Sequence, residues 1–292
     1  MHRYLLHNGE IRDSTQPLLS PGQVGFMNGW GVFSTLRVSK GVLFAFERHY
    51  ARMRHDAARL RVPFEFSAAE LENTLQTLIE ANQAHDATLR VTVVRNRGGL
   101  FEAAGISRDS DLTAFTADLT SWADGVHLNY VPNGRFGACP FAGAKITSWA
   151  QNLTWNEDAH QRGFDEVILL NEHGQVSECT SANIFCIHGE HVYTPPLATS
   201  GCLPGVTRAV LLEDIQLPGM TICEKELNPA DLANSEQVFI TSTTRDLLPV
   251  LSADRQPLQQ NQSALRLLQQ AFLSYRESYV ARHTGSKEAL AV

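Results

Sequence analysis

Four stretches of this 292-residue chain carry side chains whose type and setting could do chemistry. In FAGAKITSWAQN a single lysine, Lys145, stands among Phe141, Ala142, Gly143, Ala144, Ile146 and Trp149. Burial lowers an amine's pKa, and a neutral amine can attack a carbonyl. The ordinary alternative is a lysine that snorkels, with its stem packed and its head in water. In GQVSECTSANIF, Glu178 is followed by four small or hydroxyl-bearing residues before Asn183. It is either a solvated turn residue or a buried acid with a cationic partner. In TSGCLPGVTRAVL, Gly201 and Pro204-Gly205 punctuate a loop, and Val206-Thr207 open an apolar-periodic helix. Bare N–H groups and a hydroxyl at a helix start make an anion site, although an ordinary capped helix reads the same way. Finally, FITSTTRDLL ends a strand in Thr241, Ser242, Thr243 and Thr244. Such a cluster is either a polar turn or a phosphate cup at a strand's carboxyl end.

The elements that must position these groups follow from local pattern. RYLLHNGEI reads as a hairpin around Asn8-Gly9, and GVFSTLRV with VLFAF as a second around Lys40-Gly41. A helix is expected from about Glu47, with Tyr50, Met53, Ala57 and Leu60 on one face. Ser67 and Glu70 form a capping-box pattern before another helix. TLRVTVVR and LTAFTADL are strands, so residues 1–119 form a small α+β domain. TSWADG, residues 120–125, is the expected linker. A larger domain, 126–282, then carries strands VHLNYV, EVILL, ANIFCIHG and VFITS, with helices at 148–162, 206–215 and 229–234 and a closing helix from Ser263. Asn228 caps the third of these, with Pro229 at its first position. Residues 283–292 are expected to be a loose tail.

Composition narrows the field. The chain is 43% hydrophobic and 19% charged with net charge -7, a soluble globular balance that disfavours nucleic acid and anionic membranes. No apolar run approaches the ~20 residues of a membrane span, and the first residues lack a signal peptide's apolar core. Five scattered cysteines without a C-x-x-C pair suit reduced cytoplasmic thiols, not a disulfide frame or metal site. The nucleotide-binding glycine fingerprints, H-E-x-x-H and G-x-S-x-G are all absent.

One lysine, one odd acid and two hydroxyl loops make, with an arginine, the set that pyridoxal phosphate requires: an amine for a Schiff base, an acid for the pyridine nitrogen and a phosphate cup. From about Leu5 to Ala271 the chain resembles the class IV (fold type IV) pyridoxal-phosphate enzymes, among them branched-chain and D-amino-acid aminotransferases, (R)-amine transaminases and aminodeoxychorismate lyases. The resemblance implies a two-domain α+β and α/β fold, with the small N-terminal domain before a larger, β-barrel-like, cofactor-binding one. It implies Lys145 as the Schiff-base and catalytic lysine, and Glu178, in an E-x-x-x-x-N signature with Asn183, as the partner of the pyridine nitrogen. Arg52, in an H-x-x-R-[LM] motif, would hold the phosphate with Val206, Thr207, Ser242 and Thr243. Phe33, Arg37, Arg97 and Thr244 are the implied substrate residues, with Trp30 and Arg95 near them. A homodimer, a small amino donor and a 2-oxo acid acceptor are implied as partners.

The pattern also departs from the branched-chain enzymes. FSTLR stands for F-E-G-x-R, TLRVTVV for a Y-I-R-P strand, Trp149 near an expected tyrosine, and Cys179 for a glycine. FSTLRV and ECTSANIF are closer to the lyases, while TSTTRDLLPV is closer to the transaminases. The first expectation is a transaminase of branched-chain or other hydrophobic amino acids using an acceptor such as 2-oxoglutarate, with 4-amino-4-deoxychorismate lyase the alternative. A D-amino-acid aminotransferase and a non-catalytic phosphate-ligand binding protein are further alternatives.

Overall fold

The computed structural model describes residues 1–100 and 102–290, with residues 285–290 described by their backbone alone. Contacts divide the chain into two units: Met1–Thr120, Ala144–Trp149 and the chain from Ser278 onward, and separately Ser121–Gly143 with Ala150–Glu277.

In the first unit, β1 (Tyr4–His7) and β2 (Glu10–Asp13) are joined by Asn8 and Gly9, both at positive φ (51° and 87°). That is the geometry a two-residue hairpin of right-handed twist demands. After the short α1 (Val24–Asn28), β3 (Gly31–Ser39) turns at Lys40 and Gly41 (φ 49° and 77°) into β4 (Val42–Leu43). This second strand ends sooner than VLFAF suggests, because Ala45 takes a left-handed φ of 52° as the N-cap of α2 (Phe46–Arg59). The capping box of Ser67 and Glu70 starts α3 (Ala68–Asn82), and β5 (Ala87–Arg95) and β6 (Ser110–Ala117) follow. Among the described residues these strands form a six-stranded antiparallel sheet in the order β2-β1-β6-β5-β3-β4. Val32, Leu36 and Val38 of β3 and Leu89, Val91 and Val93 of β5 turn to a core shared with Met53 and Ala57 of α2 and Leu71, Leu75 and Leu78 of α3. The other face of β3 is thereby left to Phe33, Thr35 and Arg37.

The second unit is built on a mixed sheet. Its elements are β7 (Val126–Val131), α4 (Ala150–Gln161), β8 (Glu166–Leu170), β9 (Val176–Cys179), β10 (Asn183–His188), β11 (His191–Thr194), α5 (Leu197–Ser200), α6 (Val206–Glu213), β12 (Thr221–Glu224), α7 (Pro229–Ala233), β13 (Gln237–Ser242), β14 (Asp246–Ala253) and β15 (Gln256–Pro257). The strand order is β12-β11-β10-β13-β14-β7-β8-β9, with β15 paired to β14. The strands β9 and β10 stand five places apart in that order, yet only residues 180–182 separate them in the chain. The sheet must therefore curl until its β9 end returns to β10, which gives the barrel-like core. Val126, Leu128, Ile168, Ile184, Val238, Ile240 and Val250 fill it.

The closing helix, α8 (Gln262–Leu290), runs through residues 283–290, which the sequence had as a loose tail. Tyr279 and Val280 are buried, and the His283 ring stacks one turn back on Tyr279 at 4.0 Å, so contacts within the helix continue past residue 282. The good helix formers Lys287, Glu288, Ala289 and Leu290 then outweigh Gly285. Residues 291 and 292 of that expected tail lie outside the described residues.

Candidate active site

The lysine-bearing segment is fixed by its backbone. Phe33 donates its N–H to Lys145 O (3.1 Å) and Thr147 donates to Gly31 O (3.0 Å), with Ile146 bridged antiparallel to Val32. The Lys145 N–H donates to Asp56 Oδ2 at 3.0 Å. Asp56 belongs to the buried stripe of α2, with Phe46, His49, Met53 and Ala57. Burial raises its pKa, and the Lys145 N–H and nearby Arg52 and Arg59 oppose that rise.

The Lys145 side chain is half-buried, with Nζ 4.7 Å from the centroid of the Phe33 ring. Phe33 is buried and meets Trp149 edge-on at 6.0 Å. The guanidinium carbon of Arg90 lies 3.7 Å from the centroid of the same ring. Strand register explains this, since Phe33 pairs with Thr92 and Thr35 with Arg90, setting all four on one face. Among the described residues Arg90 has no carboxylate partner.

On the opposite face of β3, Ser34 Oγ accepts from Arg52 Nη2 (2.9 Å) and lies 2.8 Å from His49 Nδ1. Burial first, then the charges of Arg52 and Lys145, hold His49 well below its ordinary pKa. The ring is accordingly neutral, and with its proton on Nε2 its Nδ1 accepts the Ser34 hydroxyl. The result is a chain, Arg52 to Ser34 to His49, that aims the guanidinium.

In the second unit, Glu178 is the third residue of β9 and is buried at 5% exposure. Its Oε1 accepts from Arg135 Nε (3.0 Å) and its Oε2 from the Leu203 N–H (3.0 Å). Glu178 is therefore a buried acid with a cationic partner, the second of the two readings open to it. Arg135 also donates to Asn152 Oδ1 at 3.4 Å. Burial pushes the neighbouring Cys179 thiol well above its ordinary pKa, leaving it protonated. Further on, α6 begins at Gly205 without a side-chain cap, so the first-turn N–H groups at Val206 and Thr207 take no side-chain acceptor. Thr207 is buried, and among the described residues neither its hydroxyl nor that of Thr243 takes a hydrogen bond. Ser242 Oγ accepts the Arg245 N–H at 3.2 Å and lies 3.4 Å from Thr244 Oγ1.

Lys145, Arg52 and Phe33 thus lie in the first unit, and Glu178, Val206, Thr207, Ser242, Thr243 and Thr244 in the second. Arg37 shares the Phe33 face of β3. Arg97 is exposed and taken by Glu102 (3.2 Å) and Asp109 (3.5 Å). Arg95 stacks over Trp30 and donates to Arg61 O, a tie inside the fold. Sequence reasoning passed over Arg90 and Arg135, which only register and packing single out. The donor set suits pyridoxal phosphate: an amine, a buried carboxylate with two donors already in place, an arginine, and an uncapped helix start with unbonded hydroxyls for the phosphate. Among the described residues no group of three or more His, Cys, Asp or Glu could hold a metal ion. No helix there is long and apolar enough to cross a membrane.

Residues 31–253 match the amino-transferase class IV family, and the chain belongs to it. Its members are enzymes that use pyridoxal phosphate. The chain is 29% identical to a D-alanine aminotransferase of Bacillus licheniformis, over 87% of this chain and 89% of that one. It is 27% identical to an aminodeoxychorismate lyase of Vibrio harveyi, over 78% and 85%. The fold is that of the Escherichia coli branched-chain amino acid aminotransferase, with a TM-score of 0.86 at 22% identity over 94% of this chain and 95% of that one.

Proposed function

We propose that the protein is a transaminase that moves an amino group from an amino acid with an apolar side chain to a 2-oxo acid such as 2-oxoglutarate. The observation that carries this reading is the Lys145 amine against Phe33, with the Arg90 guanidinium on the same ring. An amine beside apolar rings and a cation without a carboxylate partner suits a substrate with an apolar side chain and an α-carboxylate. Arg90 accordingly meets the α-carboxylate in place of Arg97, an implied substrate residue whose charge Glu102 and Asp109 already meet.

Bound pyridoxal phosphate supplies a carbonyl for the amino group and a ring that accepts the electron pair left at Cα. Lys145 Nζ takes the Cα proton, and its backbone bond to Asp56 fixes where that amine starts from. Glu178, held by Arg135 and the Leu203 N–H, would accept the hydrogen bond of a protonated pyridine nitrogen. Arg52, Val206, Thr207, Ser242 and Thr243 hold the phosphate, and Thr244 and Arg37 flank the substrate. The amino group leaves the donor as the acceptor receives it, so no outside oxidant or reductant is consumed. A cytoplasmic homodimer goes with this reading; exposed Phe26, Met27 and Leu100 supply apolar surface for a second copy.

The test is amino-group exchange by the protein loaded with pyridoxal phosphate, offered L-leucine, L-valine or D-alanine with 2-oxoglutarate. Glutamate formed from leucine or valine supports the branched-chain reading, and transfer from D-alanine alone moves the enzyme to the D-series. Release of pyruvate and 4-aminobenzoate from aminodeoxychorismate, without exchange, would replace the transaminase by a lyase. Lys145→Ala should abolish either reaction, and turnover by that variant would remove Lys145 from its role.

A further inference from the structure

Glu178 and Asn183 both reach the same residue, Leu203. Glu178 Oε2 accepts the Leu203 N–H at 3.0 Å, and Asn183 Nδ2 donates to the Leu203 carbonyl at 2.9 Å. Both side chains are buried, at 5% and 4% exposure. Residue 204 is a proline, which has no N–H to offer, so these two bonds grip the chain by the peptide groups on either side of Leu203, two residues before the N-cap of α6. Gly205, the N-cap, has φ -66°, a conformation open to any residue. What demands glycine there is space, since a methyl group would overlap Asn183 Oδ1. Asn183 therefore holds the loop by a bond at Leu203 and shapes it by occupancy at Gly205. The next two residues are Val206 and Thr207, whose N–H groups open α6.

We infer that Asn183 is a positioning residue for the phosphate end of the cofactor: it sets the Leu203–Gly205 loop and, through it, the direction of the Val206 and Thr207 N–H groups. This rests on the pyridoxal-phosphate reading above. A shift of the loop tilts donors away from a dianion whose binding depends on their convergence. The lysine lies outside this lever, and Glu178, though it shares Leu203, keeps its bond from Arg135 when the loop shifts. A phosphate-free analogue that keeps the same ring and carbonyl should therefore not feel it.

The experiment uses the full-length protein stripped of cofactor and titrated with pyridoxal phosphate and, separately, with pyridoxal. Asn183→Ala, Asn183→Asp and Gly205→Ala are compared with the unaltered chain, with melting temperatures recorded beside the affinities. The expected result is a loss of roughly tenfold to a hundredfold in affinity for pyridoxal phosphate, with affinity for pyridoxal within about threefold. Gly205→Ala attacks the same joint from the other side, so it serves should either Asn183 variant fail to fold. The double variant Asn183→Ala with Gly205→Ala should be no worse than the poorer single one, because the added methyl then has room. Equal weakening of both ligands, or of neither, would overturn the inference. If the unaltered chain itself shows no preference for the phosphorylated ligand, the cofactor reading fails first, and that arm identifies the failure.

Discussion

The Arg135–Glu178 pair is the most exposed point of the proposal, and its cost can be worked from its surroundings. The Glu178 side chain is 7% exposed and that of Arg135 22%. Removing one partner of a buried pair leaves an uncompensated charge and typically costs about 3–5 kcal/mol. Here the Leu203 N–H remains on Glu178 Oε2, so the lower end, about 3 kcal/mol, applies to Arg135→Met. For units of this size 1 kcal/mol moves the melting temperature by about 2–4 °C, which puts the expected drop near 6–12 °C. Glu178→Leu should cost less, because Arg135 keeps Asn152 and part of its hydration. With both charges gone the penalty should largely vanish, since apolar replacements of buried pairs are often neutral. The assay is thermal or urea unfolding of the cofactor-free protein and its three variants, so that ligand linkage does not enter. A coupling energy of about 1.5 kcal/mol or more, with the double variant more stable than Arg135→Met, is the expected outcome. Strictly additive losses would refute the claim that Arg135 holds Glu178 in place.

His49 gives a prediction in pH. Its folded-state pKa lies well below 6.5, so the unfolded chain binds a proton there that the folded one does not. Stability is complete above the unfolded value and falls as pH drops below 6.5, by about 1.4 kcal/mol per pH unit from this group. Stability curves of His49→Gln and the unaltered protein should therefore converge towards pH 5, and parallel curves would contradict the buried neutral ring. Arg90→Ala should raise KM for amino acids by roughly tenfold to a hundredfold with a smaller effect on kcat. An amine lacking a carboxylate should be used equally by both forms, and an equal loss for that amine would give Arg90 a purely structural role.

What the sequence made legible is what short range decides. The Asn8-Gly9 and Lys40-Gly41 turns, the Ser67–Glu70 capping box and the Asn228 cap before Pro229 each involve neighbours within a few residues, and each is present. The strand β9 was seen only as a suspicion around Glu178, since four residues buried throughout have no period to read. Arg135 stayed hidden because it sits in the irregular stretch PNGRFG, 43 residues from the carboxylate it meets. Arg90 was overlooked in favour of Arg95 and Arg97. Its alternation in β5 was visible, but which β3 residues share its face depends on a register that one sequence does not contain.

The same limit explains why a signature can be recognised without being understood. Glu178 and Asn183 look like an acid with a bystander until both are seen on one residue, Leu203. The residues between them are equally engaged. Ser181 Oγ donates to Glu166 Oε2 at 2.6 Å and accepts from Arg245 Nη1 at 2.9 Å, and Arg245 in turn lies 3.6 Å from Glu166. Arg245 follows Thr243 and Thr244 directly, gives its N–H to Ser242 Oγ and stacks over Trp122, whose ring N–H donates to the Thr244 carbonyl. One turn between two strands thus anchors both hydroxyl-bearing loops, the first through Asn183 and the second through Ser181. The spacing of the signature is the length of that turn, with an acid one residue before the end of one strand and an amide starting the next. Lengthening it by a residue would break the grip on Leu203 and the contact with Arg245 together, even with every proposed ligand of the cofactor left in the chain.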